Sequence, residues 1–421
     1  MSIIAYKYLG ILLIPIIKLN LFLRVLQKKE DKKRLSERYG ISSIKRPAGD
    51  LIWIHASSVG EFKSSSPIIN NYYKKYNILV TTTTLSAANY AMKNYKNKII
   101  HQFAPLDIIF WVDKFISKWN PKLVIWIESD LWPITLISIK KNCIKSILIN
   151  ARMSPQSYEK WKGLSFFYKE ITSNFKYIYA QSPKDQKRIS KLTNRNISFI
   201  GNLKLSSENY KQKITLNHKL KKLKTNKILM LASTHYDEEI QFIPTLKKLI
   251  SKISNIKIII APRHPERSMS IKSIYEKKGI KTKLVDKYYN FNEDVIIVNN
   301  FGTLPLYFYI SDVVFLGGSL IKKGGHNPIE PSINNCAVLT GPYIYNWEDV
   351  FKYMSKKDVC YLCKNIFDLE KKIFNLFQNI DKMKKMKKNS KIIAKKQLFD
   401  SKRLIKNINK LIMEKNFAKS S

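Results

Sequence analysis

Asp312-Val313-Val314-Phe315-Leu316-Gly317-Gly318-Ser319, followed by Gly324-Gly325-His326-Asn327-Pro328-Ile329-Glu330-Pro331, sets the reading of this chain. The run 312–316 has no long polar break and reads as a buried strand. Asn327 can cap a helix, Pro328 suits its first position, and Glu330 completes a capping pattern. Strand, glycine loop and proline-started helix would together aim backbone amides and a positive helix end at an anion. That is a phosphate corner at the carboxyl edge of a sheet, and it suggests a nucleotide ligand. An ordinary glycine turn before a capped helix fits the same residues, because glycine loops are common.

The same strand-loop-helix unit recurs on either side of this corner. Leu51-Ile52-Trp53-Ile54-His55-Ala56, Asn77 to Thr84, Leu123 to Glu128, Ser146 to Asn150, Tyr177 to Ala180 and Ile197 to Gly201 read as strands. Ser206 to Asn226 is polar, lysine-rich and without an apolar period, which marks a linker. Beyond it the alternation restarts with Lys227 to Ala232, Lys257 to Ala261, Asp294 to Val298, the Asp312 strand and Ala337 to Thr340. Strands alternating with helices predict an α/β fold with parallel sheets covered on both faces. The expected organisation is an apolar segment at 1–27, a doubly wound domain at 28–205, the linker 206–226, and a second doubly wound domain at 227–421 with terminal helices. Two such domains would bind ligands in a cleft between their carboxyl edges.

With 421 residues the chain exceeds one ordinary core, and its 45% hydrophobic content excludes a disordered protein. Lys+Arg number 75 against 31 Asp+Glu, a net charge of +44. Nucleic acid, an anionic membrane or substrate, and compositional drift toward Lys, Asn and Ile all fit that excess. The lysines are scattered, so drift supplies much of it, and no recognition helix or aromatic-basic sheet motif supports nucleic acid. Cys360 and Cys363 form a C-x-x-C inside a short apolar strand. Cys143 and Cys336 stand alone, so neither a disulfide framework nor a zinc site is completed.

Ile3 to Leu26 is largely apolar, interrupted by Lys7, Pro15, Lys18 and Arg24, and lacks a small-residue cleavage site. Lys28, Lys29, Lys32, Lys33, Arg34 and Arg38 come directly after it. Positive flanks stay cytoplasmic, so the expectation is a membrane anchor with the body on the cytoplasmic face. Spanning and lying in the interface both remain open, as does an amphipathic core helix.

Several loops carry candidate chemistry. Glu61 follows a strand at a loop-helix corner, where it can accept a proton or merely cap the helix; the helix start would keep it ionised. Glu128 and Asp130 follow another strand and can grip a divalent metal or open a helix, and the basic groups make a metal unnecessary for phosphate. Pro262 and Arg263 present a planar phosphate fork on a proline-stiffened loop, against the reading of a bare basic loop. Lys204 lies at the domain junction. His235 and His326 can touch phosphate or sugar, although a lone histidine is more often structural.

Taken together these segments resemble the 3-deoxy-D-manno-octulosonic acid (Kdo) transferases of lipopolysaccharide assembly. The resemblance rests on His55-Ala56-Ser57-Ser58-Val59-Gly60-Glu61, Glu128-Ser129-Asp130-Leu131-Trp132-Pro133, Asn150-Ala151-Arg152-Met153-Ser154, Gly201-Asn202-Leu203-Lys204, Pro262-Arg263-His264-Pro265-Glu266-Arg267, and Gly317 through Glu330, all in family order and spacing. It implies a GT-B glycosyltransferase of two Rossmann-like domains, anchored at the inner membrane, moving Kdo from CMP-Kdo to a lipid A precursor without cofactor or metal. It places Glu61 on the family's proton acceptor, and Glu128 and Lys204 on its transition-state stabilisers. Pro262 and Arg263, Phe301, Gly302 and Thr303, and Asn327, Pro328, Ile329 and Glu330 fall on its CMP-contacting segments. Two departures stand out: Asn299-Asn300-Phe301-Gly302-Thr303-Leu304 where the family usually reads Asp-Thr-Met-Gly-Glu-Leu, and Leu205-Ser206 where it reads Phe-Asp. Other nucleotide-sugar enzymes of the same fold are the alternative.

Overall fold

The computed structural model describes residues 3–128, 130–206, 218–285, 293–300, 302–399 and 401–414. It divides into two compact units, Met1–Asn209 with Phe399–Ser421, and Tyr210–Leu398.

The first unit is built on seven parallel strands, β1 (Leu51–His55), β2 (Asn77–Thr82), β3 (Ile100–Phe103), β4 (Leu123–Ile127), β5 (Lys145–Ala151), β6 (Phe175–Ala180) and β7 (Ser198–Phe199), in the order β3-β2-β1-β4-β5-β6-β7. Every residue of β1 and β4 is buried. That is why both read as unbroken apolar runs: helices cover each face, so no side of the strand meets water. Helix Ile109–Trp119 shows the covering pattern, burying Val112, Phe115, Ile116 and Trp119 at helical spacing and ending on Asn120 at φ 34°. Trp53 of β1 packs its ring 4.8 Å from Phe115 and 5.9 Å from Trp126 of β4. From β1 the chain winds outward to β3, then returns to place β4 on the other side of β1. The switch point of this sheet therefore lies between the carboxyl ends of β1 and β4, where doubly wound folds bind their ligands.

The second unit repeats the plan with β8 (Lys227–Thr234), β9 (Ile256–Pro262), β10 (Thr282–Val285), β11 (Val295–Val298), β12 (Val313–Leu316), β13 (Ala337–Thr340) and β14 (Cys360–Leu362). The order is β10-β11-β9-β8-β12-β13-β14, again parallel, with its switch point between β8 and β12. Cys360 and Cys363 are buried at β14, where burial raises both thiols, Cys363 to about 12, so neither is a reactive thiolate.

Three expectations change. The tail, expected whole in the second domain, splits between the units. Helix Ile380–Gln397 stays with the second unit, while Phe399 onward returns to the first. Helix Lys402–Met413 buries Leu404, Ile408, Leu411 and Ile412, and is pinned by the Tyr72 hydroxyl donating to Asn409 Oδ1 at 2.7 Å. Of the expected linker, residues 207–217 lie outside the described residues, and the next element is helix His218–Leu223, with Leu220 and Leu223 buried. The single apolar amino-terminal helix is two, Ile3–Leu12 and Ile14–Leu26, bent by 60°. Pro15 sits in the first turn of the second, where its ring and missing N–H break continuity with the first.

Among the described residues no single helix is long and apolar enough to cross a membrane. Ile4, Tyr8, Leu12, Ile16, Leu19 and Phe22 are exposed on the bent pair. The basic cluster after it is only partly on the surface. Arg38 is buried, ion-paired with Glu30 at 2.8 Å and donating to the Thr83 and Ala104 carbonyls. Arg34 pairs with Glu37 and reaches His101. Those two guanidinium groups brace the chain after the helices against β3.

Candidate functional site

In the first unit the functional side chains follow from how β1 and β4 end. The strands run in register, His55 beside Trp126, so the loops that leave them emerge side by side. Ser58 caps helix Val59–Tyr72 by accepting from the Glu61 amide at 3.3 Å, and its hydroxyl donates to Glu61 Oε1 at 3.2 Å. The Ser57 amide donates to Glu61 Oε2 at 2.6 Å. Glu61 is thus a helix-capping carboxylate, one of the two roles its sequence allowed. The other role stays open to it because of its electrostatics. Burial, then Glu128 and Asp130, push its carboxyl up to about 7 against the opposing hydrogen bonds. The expectation that the helix start would keep Glu61 ionised is corrected: desolvation beside two like charges outweighs the helix end.

Glu128 stands at φ 65°, and Asn150, at the end of β5, at φ 61°. Two non-glycine residues in the left-handed region at neighbouring strand ends mark backbone bent to aim side chains. Glu128 Oε1 pairs with Lys204 Nζ at 2.7 Å and accepts from Asn150 Nδ2 at 3.4 Å. Asn150 Oδ1 in turn accepts from the Leu203 amide at 3.1 Å, fixing the short turn Leu203–Leu205 that presents Lys204. Residues far apart in sequence, Glu61, Glu128 and Lys204, are brought to one sheet edge, tied by Asn150, which opens one of the segments of the family resemblance but was given no role there. Asp130 accepts from the Ser57 hydroxyl, and among the described residues no group of three or more His, Cys, Asp or Glu is gathered as an ion's ligands would be. Ser129 lies outside the described residues.

In the second unit the glycine corner behaves differently from its sequence reading. The amides of Gly318, Ser319 and Leu320 donate to the carboxylate of Glu238, at 2.7, 3.0 and 3.0 Å. Glu238, fully buried in the first turn of helix Tyr236–Lys252, already occupies the anion cradle that the loop forms. Burial raises its pKa, and the amide hydrogen bonds oppose that shift. Gly317 is required for close approach, since a Cβ there would meet the Ser233 carbonyl oxygen at 2.5 Å. The helix after Asn327 is also shorter than expected: it spans Ile329–Ile333, with Pro328 at the cap position and Asn327 Oδ1 accepting from the Ile329 amide at 3.0 Å. Five residues carry little macrodipole, so the positive helix end is a minor term.

What remains positive at this edge are side chains. Pro262 ends β9, and the Arg263 amide donates to the Thr234 carbonyl at the end of β8. Arg263 is exposed, while Arg267 is held by Glu239 at 2.7 Å. The rings of His235 and His326 lie 6.0 Å apart and nearly parallel, with His264 6.3 Å from His235. Burial together with Arg263 and His235 holds His326 down at about 4, and burial with His264, Lys323, Arg263 and Arg267 lowers His235. His235 and His326 are therefore neutral at neutral pH, chiefly because burial disfavours the charged ring, with Arg263 and the other cationic side chains adding to that depression. Buried His326 Nε2 has no hydrogen-bond partner and faces Gly318. Both histidines, which sequence alone favours as structural, belong to this edge. Gly302 at φ 85° and Thr303, whose hydroxyl donates to Asn300 Oδ1 at 2.7 Å, follow β11 on the same edge; Phe301 lies outside the described residues. The three segments 262–263, 302–303 and 327–330 thus all issue from the carboxyl side of the β11-β9-β8-β12 block.

Comparison with known proteins bears on these edges. Residues 33–207 match the family model "3-Deoxy-D-manno-octulosonic-acid transferase (kdotransferase)". The 3-deoxy-D-manno-octulosonic acid transferase of Rickettsia bellii is 35% identical over 357 residues, covering 82% of this chain and 84% of that protein. That of Haemophilus influenzae is 30% identical over 366 residues, covering 83% and 84%. Among solved structures, a glycosyltransferase from Rickettsia africae superposes with a TM-score of 0.60 at 13% identity, over 89% of this chain and 100% of that one, a likeness of fold. The fold is that of the GT-B glycosyltransferases. With identity of this extent running through both units, the chain belongs to the 3-deoxy-D-manno-octulosonic acid transferase family.

Proposed function

We propose that the protein transfers Kdo from CMP-Kdo to a hydroxyl of a lipid A precursor, with Glu61 as general base and inversion at the anomeric carbon. The transferase activity is that of its family; the acceptor and the residue roles are the proposal. The observation that carries it is Glu61, held by the Ser57 amide at the switch point of the first sheet and raised to about 7. A base is most useful when its pKa lies near the working pH, since it is then both ionised and strong enough to take a proton.

As the acceptor hydroxyl attacks, its proton passes to Glu61 Oε1 or Oε2, the new glycosidic bond forms, and the bond to the cytidylate phosphate breaks. Charge gathers on the departing phosphate while the sugar becomes oxocarbenium-like. Arg263, with the cationic surroundings of His235 and His326, would hold that phosphate in the second unit. Lys204 would add positive charge where the transition state needs it, oriented by its pair with Glu128. Thr303 brings a hydroxyl where relatives of this family usually carry a carboxylate, so the nucleotide is met there by neutral groups. For the membrane, we propose attachment to an anionic leaflet on its cytoplasmic face, the bent helices lying in the interface with Ile4, Tyr8, Leu12, Ile16, Leu19 and Phe22 in the acyl boundary.

The test is one incubation of purified protein with CMP-Kdo and a lipid A precursor, read by mass, with UDP-sugars in parallel. Mass gain of Kdo with CMP-Kdo alone is the expected result; transfer from a UDP-sugar instead would overturn the donor. Glu61→Gln should lower turnover by roughly 10²–10⁴-fold while leaving donor binding intact. Unchanged turnover would remove Glu61 from the role of base.

A further inference from the structure

A buried hydrogen-bond chain ends beside Glu61, and the direction of each bond in it can be assigned. The Ser57 hydroxyl has one hydrogen, and it donates to Asp130 Oδ2. Its contact with His55 Nε2 at 3.1 Å must then be one in which the ring donates, so His55 carries its proton on Nε2. His55 Nδ1, left as an acceptor, takes the hydrogen of the Thr81 hydroxyl at 2.9 Å, and Thr81 Oγ1 accepts from Trp53 Nε1 at 2.8 Å. All bonds run one way, from Trp53 through Thr81, His55 and Ser57 to the Asp130 carboxylate. His55 stays neutral, held down at about 4 chiefly by burial, so the ring cannot break the order by taking a second proton near neutrality. The main chain at Asp130 is fixed in turn by Trp126 Nε1 donating to its carbonyl at 2.8 Å, and the Trp126 ring lies 4.1 Å from that of His55.

Burying Trp53, Thr81, His55 and Ser57 in a line that ends on half-buried Asp130 is costly unless each is satisfied. A sheet core of Val, Ile and Leu would stabilise this position as well or better. The chain has a distinguishing consequence, however. It immobilises Ser57, whose amide is the short donor to Glu61 Oε2, and it sets a second carboxylate close enough to weigh on Glu61.

We propose that Asp130 and Ser57 are positioning residues for Glu61: the one-way chain from Trp53 to Asp130 locks the Ser57 amide onto the Glu61 carboxylate and keeps the Asp130 charge beside it. This rests on Glu61 being the base. The charged and titratable groups around Glu61 are Glu128 and Asp130 from the loop after β4, which act on it directly, Lys204 through its pair with Glu128, and His55 of β1 through its contact with Ser57; Lys63, on the same helix as Glu61, lies over the Tyr90 ring. Of these, only Asp130 and His55 belong to the chain that holds Ser57, and only Asp130 carries charge in it.

Two variants separate the parts. Asp130→Asn keeps an acceptor for Ser57 but removes the charge. With one like charge gone, Glu61 ionises more readily, so the acid limb of kcat/KM for the transfer assay should move to lower pH, while the donor KM stays at the wild-type value. Ser57→Ala keeps the charge and the amide but releases the chain, and should lower kcat by roughly 10- to 100-fold with donor KM unchanged, as loss of alignment at a reacting group does. Thermal unfolding of each variant reports whether it is folded, and the isosteric Asp130→Asn carries the test alone if Ser57→Ala is not. An acid limb unmoved in Asp130→Asn, or a folded Ser57→Ala with wild-type kcat, overturns the proposal. If either occurs while Glu61→Gln is inactive, the base assignment survives and only the positioning role falls; if Glu61→Gln is fully active, the base assignment itself falls.

Discussion

Glu61 is a carboxylate pulled in two directions. Its capping bonds favour the ionised form, its burial and two acidic neighbours favour the protonated form, and the second group prevails. The acid limb of kcat/KM should accordingly fall near pH 7, where Glu61 loses the ability to take a proton. Stability has the opposite sign. A folded-state pKa raised above the unfolded value contributes stability that is complete below the unfolded pKa and lost as pH rises through the folded one. Glu61→Gln should therefore match the wild type in acid and melt at a higher temperature above neutrality; a variant less stable at every pH would show that capping dominates. Glu238 is the contrary case, a buried carboxylate that accepts from three loop amides at once. Glu238→Ala would leave each amide unsatisfied at about 1–3 kcal/mol apiece, so urea unfolding followed by circular dichroism should show the second unit weakened by several kcal/mol. Wild-type stability would mean that the glycine loop does not depend on that carboxylate.

Elements were legible in proportion to how uniformly they are buried. β1, β4, β8 and β12 stand at the two switch points with covered faces, and each reads as an apolar run. β3 and β10 are not legible in the same way: Ile100-His101-Gln102-Phe103 and Thr282-Lys283-Leu284-Val285 sit at sheet edges, where polar residues are tolerated and the alternation is diluted. The last helix, Lys402–Met413, has a well-marked apolar stripe, yet nothing local says which unit it covers. Its packing on the first unit predicts that Ile408→Ala destabilises that unit by about 2–5 kcal/mol. Loss of cooperative unfolding in the second unit instead would contradict the assignment. The amino-terminal pair shows the same limit from the other side, since Pro15 announces a break but not a 60° bend.

Across the chain, a net charge of +44 is an average that conceals where the charge can act. Arg34 and Arg38 belong to the basic cluster in sequence but are engaged by Glu37 and Glu30. On the proposed membrane attachment, binding to vesicles containing anionic lipid should still weaken as salt rises, because exposed lysines interact over about a Debye length, ~10 Å at 0.1 M. Salt-independent binding, measured by flotation, would assign attachment to the apolar side chains of the bent helices alone. Strand runs and turn glycines were enough to give two parallel α/β units, because burial on both faces and backbone geometry restrict which residues can stand there; the transferase family came from the resemblance carried by the order of the motifs. The fate of the glycine loop amides, the pKa of Glu61, the His55 tautomer and the home of the last helix were not written locally. Each depends on groups distant in the chain and adjacent in space, such as Glu238 with Gly318 or Ser57 with Asp130, and a free energy of desolvation exists only once the fold has removed the water.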